Sequence, residues 1–338
     1  MKKIIFYSSV RDKTLFKTQK FYQIDIEILQ GLGYNVVLSN KITDAICFWR
    51  YDIVFAYFFR LSLFFAIIAR IFGKKCFFTG GIDALDIDSV GVKQYQIQKY
   101  LFKLCYLFST KCIIVSSEDL KHVKQIVGED ATKIVYSEHS IDTHLFKTDI
   151  SFSDKQNNFI TIGWQGSKGN IQRKGIDKAI CLFSKLIQYE AFSSSKLFIL
   201  GRKGEGTVYL ESLIKRLNLQ NKVTLTGEVT EDQKISFLKQ NRYYFQLSSY
   251  EGFGIAALEA LVAGNLILHS GKGGLNNTIY EHHVLVNIDS DITAQGEEVY
   301  HKLIDVNYEL LRINSVQSCK YYDNFRRSDD FRRIIGSI

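Results

Sequence analysis

Two consecutive series of short apolar runs, each run followed by a segment of helical length, constrain the fold of this 338-residue chain more than any other feature. In the first series, β-branched and aromatic runs fall at Ile4–Tyr7, Val36–Ser39, Ile53–Tyr57, Cys76–Thr79, Cys112–Ser116 and Ile134–Ser137. Helical patterns lie between them at Gln19–Leu32, Leu61–Phe72, Lys93–Phe108 and Glu118–Val127, the last announced by Ser116-Ser117 as an N-cap. Strand, helix, strand in repetition predicts a parallel sheet with helices on both faces. The pattern breaks over the polar stretch from Asp142 to Asn158, which reads as a linker, and then restarts. The second series has strands at Phe159–Trp164, Leu197–Leu200, Val223–Thr226, Tyr244–Leu247, Leu266–His269 and Val284–Ile288, with helices including Lys174–Ile187, Glu231–Lys239 and Gly254–Ala263. The expected architecture is α/β: two Rossmann-like doubly wound domains over residues 1–150 and 151–318, with residues 319–338 forming an amphipathic helix that packs back on the body. In such sheets ligands sit beyond the carboxyl ends of the strands. Two domains facing each other therefore place the chemistry in a cleft between them.

Composition narrows the class of partner. Hydrophobic residues make up 46% of the chain, enough for two packed cores, which excludes a disordered protein. The 43 basic residues against 35 acidic ones leave a net charge of +8, which suits an anionic partner: nucleic acid, an anionic membrane or a phosphorylated substrate. Six cysteines without a C-x-x-C pair read as small buried hydrophobes in a reducing, cytoplasmic setting. The apolar start at Ile4-Ile5-Phe6 is too short for a signal peptide. Leu61–Phe72 is the longest apolar stretch, short of the roughly 20 residues that span a bilayer. It reads as a buried core helix or as a contact with a membrane surface. Proline is absent, so turns and helix ends fall to Gly, Asn, Ser and Asp.

The most informative segment is Ser248-Ser249-Tyr250-Glu251-Gly252-Phe253-Gly254-Ile255-Ala256-Ala257-Leu258-Glu259-Ala260, which follows an apolar strand and opens a helix. Gly252 and Gly254 leave backbone N–H groups bare at the helix start, a cradle for an anion. Glu251 stands in the loop and Glu259 two turns along the helix, so two carboxylates can grip the hydroxyls of one ligand. The bland alternative is an ordinary strand-to-helix turn carrying two solvated acids.

Glu251 and Glu259, with Gly-Phe-Gly between them, resemble the E-x7-E motif of glycosyltransferase family 4, whose members have the GT-B fold and retain anomeric configuration. Other segments agree in order: Phe159–Gly163 followed by Lys174-Gly175-Ile176-Asp177, Leu197–Gly201, Val223–Val229, Ala263-Gly264 and Gly273-Gly274. The resemblance covers the second half of the chain and is weaker in the first. It implies that Lys174 contacts the donor diphosphate, Glu251 the transferred sugar and Glu259 the ribose hydroxyls, with Gly163, Gly252, Phe253 and Gly254 near sugar or phosphates and Gly227 and Val229 near the base. It also implies a transferase moving a hexose from a nucleotide diphosphate, a UDP-sugar by default, to a glycan or lipid-linked acceptor in surface polysaccharide or lipopolysaccharide assembly. The donor is a co-substrate; no separate cofactor and no metal are expected.

The sequence departs from the pattern where Trp164 stands in place of the family's arginine, and Arg173 or Lys168 is the candidate replacement. In the first half, Thr79-Gly80-Gly81-Ile82-Asp83 ends a strand, and Asp83 is a candidate for acting on sugar or acceptor. Asp86-Ile87-Asp88 reads as an acidic turn, His139 as structural, and the basic tail as a solvated helix face without a nucleic-acid motif. Peripheral contact with the inner face of the membrane follows from the basic balance. A non-catalytic binding or chaperone subunit, which Trp164 favours, and a sugar-nucleotide epimerase on the same fold are the alternatives.

Overall fold

The computed structural model describes residues 1–81, 85, 91–128, 131–279 and 283–336. The chain divides into two units: Met1–Ile141 with Tyr322–Ile338, and Asp142–Tyr321. The first holds a parallel six-stranded sheet of β1 (Lys3–Tyr7), β2 (Asn35–Ser39), β3 (Ile53–Tyr57), β4 (Lys75–Thr79), β5 (Lys111–Ile114) and β6 (Ile134–Tyr136), in the order β2-β1-β3-β4-β5-β6. Strand β3, Ile-Val-Phe-Ala-Tyr, is buried at every position. A central strand covered on both faces has no solvent side, which is why it reads as an unbroken apolar run. Alternate residues feed separate cores: Phe6, Phe55 and Phe77 on one face, Tyr7, Val54 and Phe78 on the other.

The second unit repeats the plan with β7 (Gln156–Ile162), β8 (Leu197–Leu200), β9 (Val223–Gly227), β10 (Asn241–Gln246), β11 (Leu266–His269) and β12 (Val284–Leu285). The order is β12-β11-β10-β7-β8-β9, all neighbours parallel. Progress along the sheet reverses between β7 and β10, and the carboxyl ends of those two strands flank the crevice where doubly wound sheets bind ligands.

Several expectations need correction. The break between units falls at Ile141/Asp142, not after residue 150, and the supposed linker carries the helix Thr143–Phe146 and the first residues of β7. The helix expected over Lys174–Ile187 is two helices, Lys168–Lys174 and Ile176–Leu186, parted by Gly175. Helix Leu63–Ile71 is only half a core helix: Phe65, Ala66 and Ala69 are buried, while Phe64 and Ile71 are exposed. Ser116 does cap its helix, accepting a hydrogen bond from the Asp119 N–H at 3.1 Å.

The tail forms a helix that packs back on the body, as expected, but not as a solvated face. Helix Asn324–Gly336 belongs to the first unit, with Phe331 packed on Phe55 at 5.2 Å between ring centroids. Arg327, expected on a solvated face, is 0% exposed. Its guanidinium donates to both Asp25 oxygens at 2.6 and 2.8 Å and to the Ser137 and Glu138 carbonyls at 3.0 and 2.8 Å. The Tyr57 hydroxyl also donates to Asp25. His139 stacks on Tyr57 with its rings nearly parallel, and burial, then Arg327 and Arg326, holds it well below the usual histidine range, so it stays neutral.

A buried ion pair that loses one member leaves an uncompensated charge. Arg327→Met should therefore cost about 3–5 kcal/mol in urea unfolding. Adding Asp25→Asn should recover part of that loss by removing the stranded charge. In the second unit, burial pushes His269 down to about 4 from its ordinary 6.5. Between those values the unfolded chain takes up a proton that the folded chain refuses, so folding weakens as pH falls from 6.5 toward 4. The loss approaches about 3 kcal/mol at the acid end. His269→Asn should flatten this part of the stability profile, measured as the difference from the parent protein between pH 7 and pH 4.5.

Candidate active site

The site of the second unit is built where the loops leaving β7 and β10 meet. On β10 the side chains alternate: Tyr243, Phe245 and then Leu247 enter the core, while Tyr244, Gln246 and then Ser248 form a polar row on the other face. Beyond β7 the chain passes through helix Lys168–Lys174 and turns at Gly175, which has φ +66°. A Cβ at Gly175 would lie 1.9 Å from the Leu247 carbonyl oxygen, so only glycine permits this contact. Around it the two loops are laced together. The Ser249 N–H donates to the Arg173 carbonyl at 2.8 Å, and the Ser248 hydroxyl lies 3.3 Å from the Lys174 carbonyl.

The lacing delivers Lys174 to Glu251. The ammonium donates to Glu251 Oε1 at 2.6 Å, and the same oxygen accepts from Ser248 Oγ at 2.7 Å and Gln246 Nε2 at 2.8 Å. Glu251 is 8% exposed, and three donors offset the cost of holding a carboxylate there. Its backbone is pinned from above: Gly274 N–H donates to the Glu251 carbonyl at 2.7 Å, and a Cβ on Gly273 would stand 2.3 Å from that oxygen. Gly252 and Phe253 are buried in this turn, and the Phe253 carbonyl accepts from Thr278 Oγ1 at 3.3 Å. Gly254 starts helix Ile255–Val262 without a side-chain cap, leaving the first-turn amides to a ligand or water.

Glu259, on that helix, is buried and accepts from Lys234 at both oxygens, at 2.9 and 2.8 Å. Lys234 rises from helix Glu231–Gln240, whose start is fixed by a capping box between Thr230 and Gln233, and it also pairs with Glu231 at 3.0 Å. Burial opposes the Lys234 charge, but Glu259 and Glu231 outweigh it and hold the ammonium above its ordinary range. Tyr244 lies in the field of both glutamates. Its hydroxyl donates to Gln246 Oε1 at 3.0 Å, and burial, then Glu259, then Glu251, raises it well above the usual phenol range. Both carboxylates are thus within electrostatic reach of one neutral phenol.

The remaining expected residues fall at the carboxyl edge of the sheet or just beyond. Gly163 N–H donates to the Leu200 carbonyl and Gly201 N–H to the Gly227 carbonyl, tying the ends of β7, β8 and β9 in a row. Val229 follows that row and is half-buried. Trp164 is 59% exposed. Of the two candidates to replace the arginine, Lys168 lies over the Tyr209 ring at 5.0 Å, and Arg173 is exposed beside Lys174. Asp83, with Asp86 and Asp88, lies outside the described residues. Among the described residues no cluster of three His, Cys, Asp or Glu is arranged to hold a metal. Lys234, Tyr244 and Gln246 escaped the sequence reading. The polar alternation of Tyr244, Gln246 and Ser248 on a core strand was the available signal for two of them.

Known proteins resemble this chain in sequence and in fold. The model of the family "Glycosyl transferases group 1" matches residues 166–300. An uncharacterized glycosyltransferase of Methanocaldococcus jannaschii is 32% identical over 180 residues, 51% of this chain and 45% of that protein. A GDP-mannose:cellobiosyl-diphosphopolyprenol alpha-mannosyltransferase of Xanthomonas oryzae is 32% identical over 165 residues, 44% of this chain and 40% of that protein. These matches thus span less than half the length of the curated relatives. Among solved structures, Anabaena HepE in complex with UDP and glucose superposes with a TM-score of 0.75 at 16% identity over the whole of both chains. Sucrose-phosphate synthase of Thermosynechococcus elongatus superposes at 0.77 with 14% identity, again over both whole chains. Residues 166–300 thus resemble the group 1 glycosyl transferases, on a chain with the GT-B fold.

Proposed function

We propose that the protein is a retaining glycosyltransferase that takes a hexose from a nucleotide diphosphate donor, a UDP-sugar by default, and delivers it to a glycan or lipid-linked acceptor of surface polysaccharide or lipopolysaccharide assembly. The observation that carries this reading is the 2.6 Å pair of Lys174 and Glu251 at the switch point of the second sheet, beside the uncapped start of helix Ile255–Val262. The structure of HepE with UDP and glucose supports a UDP-linked donor, and the Xanthomonas mannosyltransferase supports a lipid diphosphate acceptor. Work at the inner face of the membrane fits such an acceptor.

In this reading the donor diphosphate occupies the amide-rich start of the helix, and the Lys174 ammonium turns from Glu251 toward it. Negative charge grows on the diphosphate as the sugar leaves, and a fixed cation beside it lowers the barrier. Glu251, held by Ser248 and Gln246, keeps one oxygen anchored and offers the carboxylate to the sugar hydroxyls. Glu259 receives the ribose hydroxyls while Lys234 neutralises it. Asp83 and the loops of the first unit are assigned to the acceptor, Arg173 to the diphosphate, and Gly163, Gly227 and Val229 to the walls around sugar and base. No metal is assigned.

Purified protein should release UDP slowly from a UDP-sugar without acceptor. Lys174→Met should lower that turnover by about 10²-fold, the scale of losing one oxyanion donor, and Glu251→Ala should abolish it. Undiminished release by both variants would overturn the assignment. Turnover absent from the parent protein despite donor binding would favour a non-catalytic subunit, and an epimerised sugar as the product would favour the epimerase. In calorimetry, Glu259→Ala should weaken UDP binding at least tenfold, whereas unchanged affinity would remove the ribose role.

A further inference from the structure

The first unit carries a surface that the transfer chemistry does not use. Residues 53–81 and 91–117 contain eight Lys and Arg and no Asp or Glu. Two helices from these stretches, Leu63–Ile71 and Val92–Phe108, pack against each other. The longer one is apolar on two sides. Phe102 and Cys105 point into the core, while Ile97, Tyr100 and Leu107 are exposed, with Tyr100 at 63%. Ile97, Tyr100, half-buried Leu104 and Leu107 recur at heptad-like spacing as one outward stripe, with the exposed Lys93 and Lys103 on the same side.

The stripe continues onto neighbouring elements. Lys133 Nζ donates to the Tyr106 and Leu107 carbonyls at 3.1 and 2.7 Å, adding a cation at the end of the helix. On the shorter helix Phe64 and Ile71 are exposed, as is Phe72 just past its end, with Arg70 between them. Phe72 stacks on Phe48 at 3.5 Å between centroids, and Trp49, 67% exposed, sits edge-on to Phe48. Arg60 Nε donates to Gln98 at 3.2 Å, fixing the loop with exposed Leu61 against the longer helix. The nearby acids are engaged: Asp52 with the Lys3 N–H and Lys74, Asp44 with Ser39.

We propose that this face of Trp49, Leu61, Ile71, Tyr100 and Leu107, ringed by Lys93, Lys103 and Arg70, docks on an anionic lipid bilayer. Charge and shape favour that occupant. The cations outnumber the acids on this face, so it disfavours a second copy of itself. Its aliphatic side chains fit the boundary between headgroups and acyl chains, tryptophan and tyrosine fit the headgroup layer, and lysines beside them meet anionic phosphates. The inference gives the proposed lipid-linked acceptor a docking surface. Its test needs neither donor nor acceptor, so the two readings fail separately.

The test uses the full chain with vesicles of equal phosphatidylglycerol and phosphatidylcholine, and with vesicles of phosphatidylcholine alone. The protein should sediment with the anionic vesicles and not with the neutral ones, and 0.5 M NaCl should weaken the association. Each basic residue near such a surface contributes about fivefold, so Lys93→Glu with Lys103→Glu should lower partitioning at least tenfold. Tyr100→Ser with Leu107→Ser should lower it comparably, with circular dichroism unchanged in both double variants. The chain has two tryptophans, so Trp164→Phe leaves Trp49 as the single reporter, and its emission should move to the blue on anionic vesicles. Equal sedimentation with neutral vesicles, indifference to charge reversal or an unmoved Trp49 emission would overturn the proposal. So would a concentration-dependent dimer, or capture of an oligonucleotide in preference to vesicles, that Tyr100→Ser with Leu107→Ser abolishes.

Discussion

The second unit's site depends on bringing a lysine and a glutamate, 77 residues apart in sequence, to 2.6 Å. Neither charge is comfortable alone at that depth. The helix ending in Lys174 and the loop carrying Glu251 leave strands that are neighbours in the sheet but far apart along the chain, and the strand order makes the meeting possible. Contact at Gly175 then sets the depth of approach, because the backbone there passes the Leu247 carbonyl with no room for a side chain. Ser248 and Gln246 complete the arrangement by occupying the same carboxylate oxygen. Backbone contacts of this kind are set without a ligand, which leaves only the Lys174 side chain free to move.

The two glutamates of the motif are treated differently. Glu251 shares one oxygen among three donors, and its lysine is a quarter exposed. Glu259 is gripped at both oxygens by Lys234, which is itself nearly covered. One arrangement can rearrange around an incoming group; the other holds its carboxylate still. Tyr244 feels both and stays neutral, because burial and both carboxylates disfavour its ionisation.

The alternation of the two sheets was legible because central parallel strands such as β3 are buried on both faces and read as unbroken apolar runs. The segment from Ser248 to Glu259 was legible because its glycines and acids lie within one strand-to-helix turn. Lys234 was not, since an i, i+3 pair with Glu231 on a polar helix is the ordinary look of a solvated face, and only tertiary contact with Glu259 gives it another meaning. Arg327 was misread for the same reason. Its neighbours Arg326, Arg332 and Arg333 are charged too, and nothing local separates the one that turns inward. Gly175 was read through because the helical pattern continues on both sides of it.

The Asp25–Arg327 pair joins residues 302 positions apart, and it closes the first unit with the last helix of the chain. During synthesis the amino-terminal sheet leaves the ribosome with Asp25 lacking its guanidinium and with Phe55 lacking the ring of Phe331. The whole second unit, residues 142–321, must be translated before that helix emerges. At about 5–20 residues per second this leaves the amino-terminal core open for roughly 10–40 s. The first unit can therefore complete its core only after the second unit, continuous in sequence, has emerged.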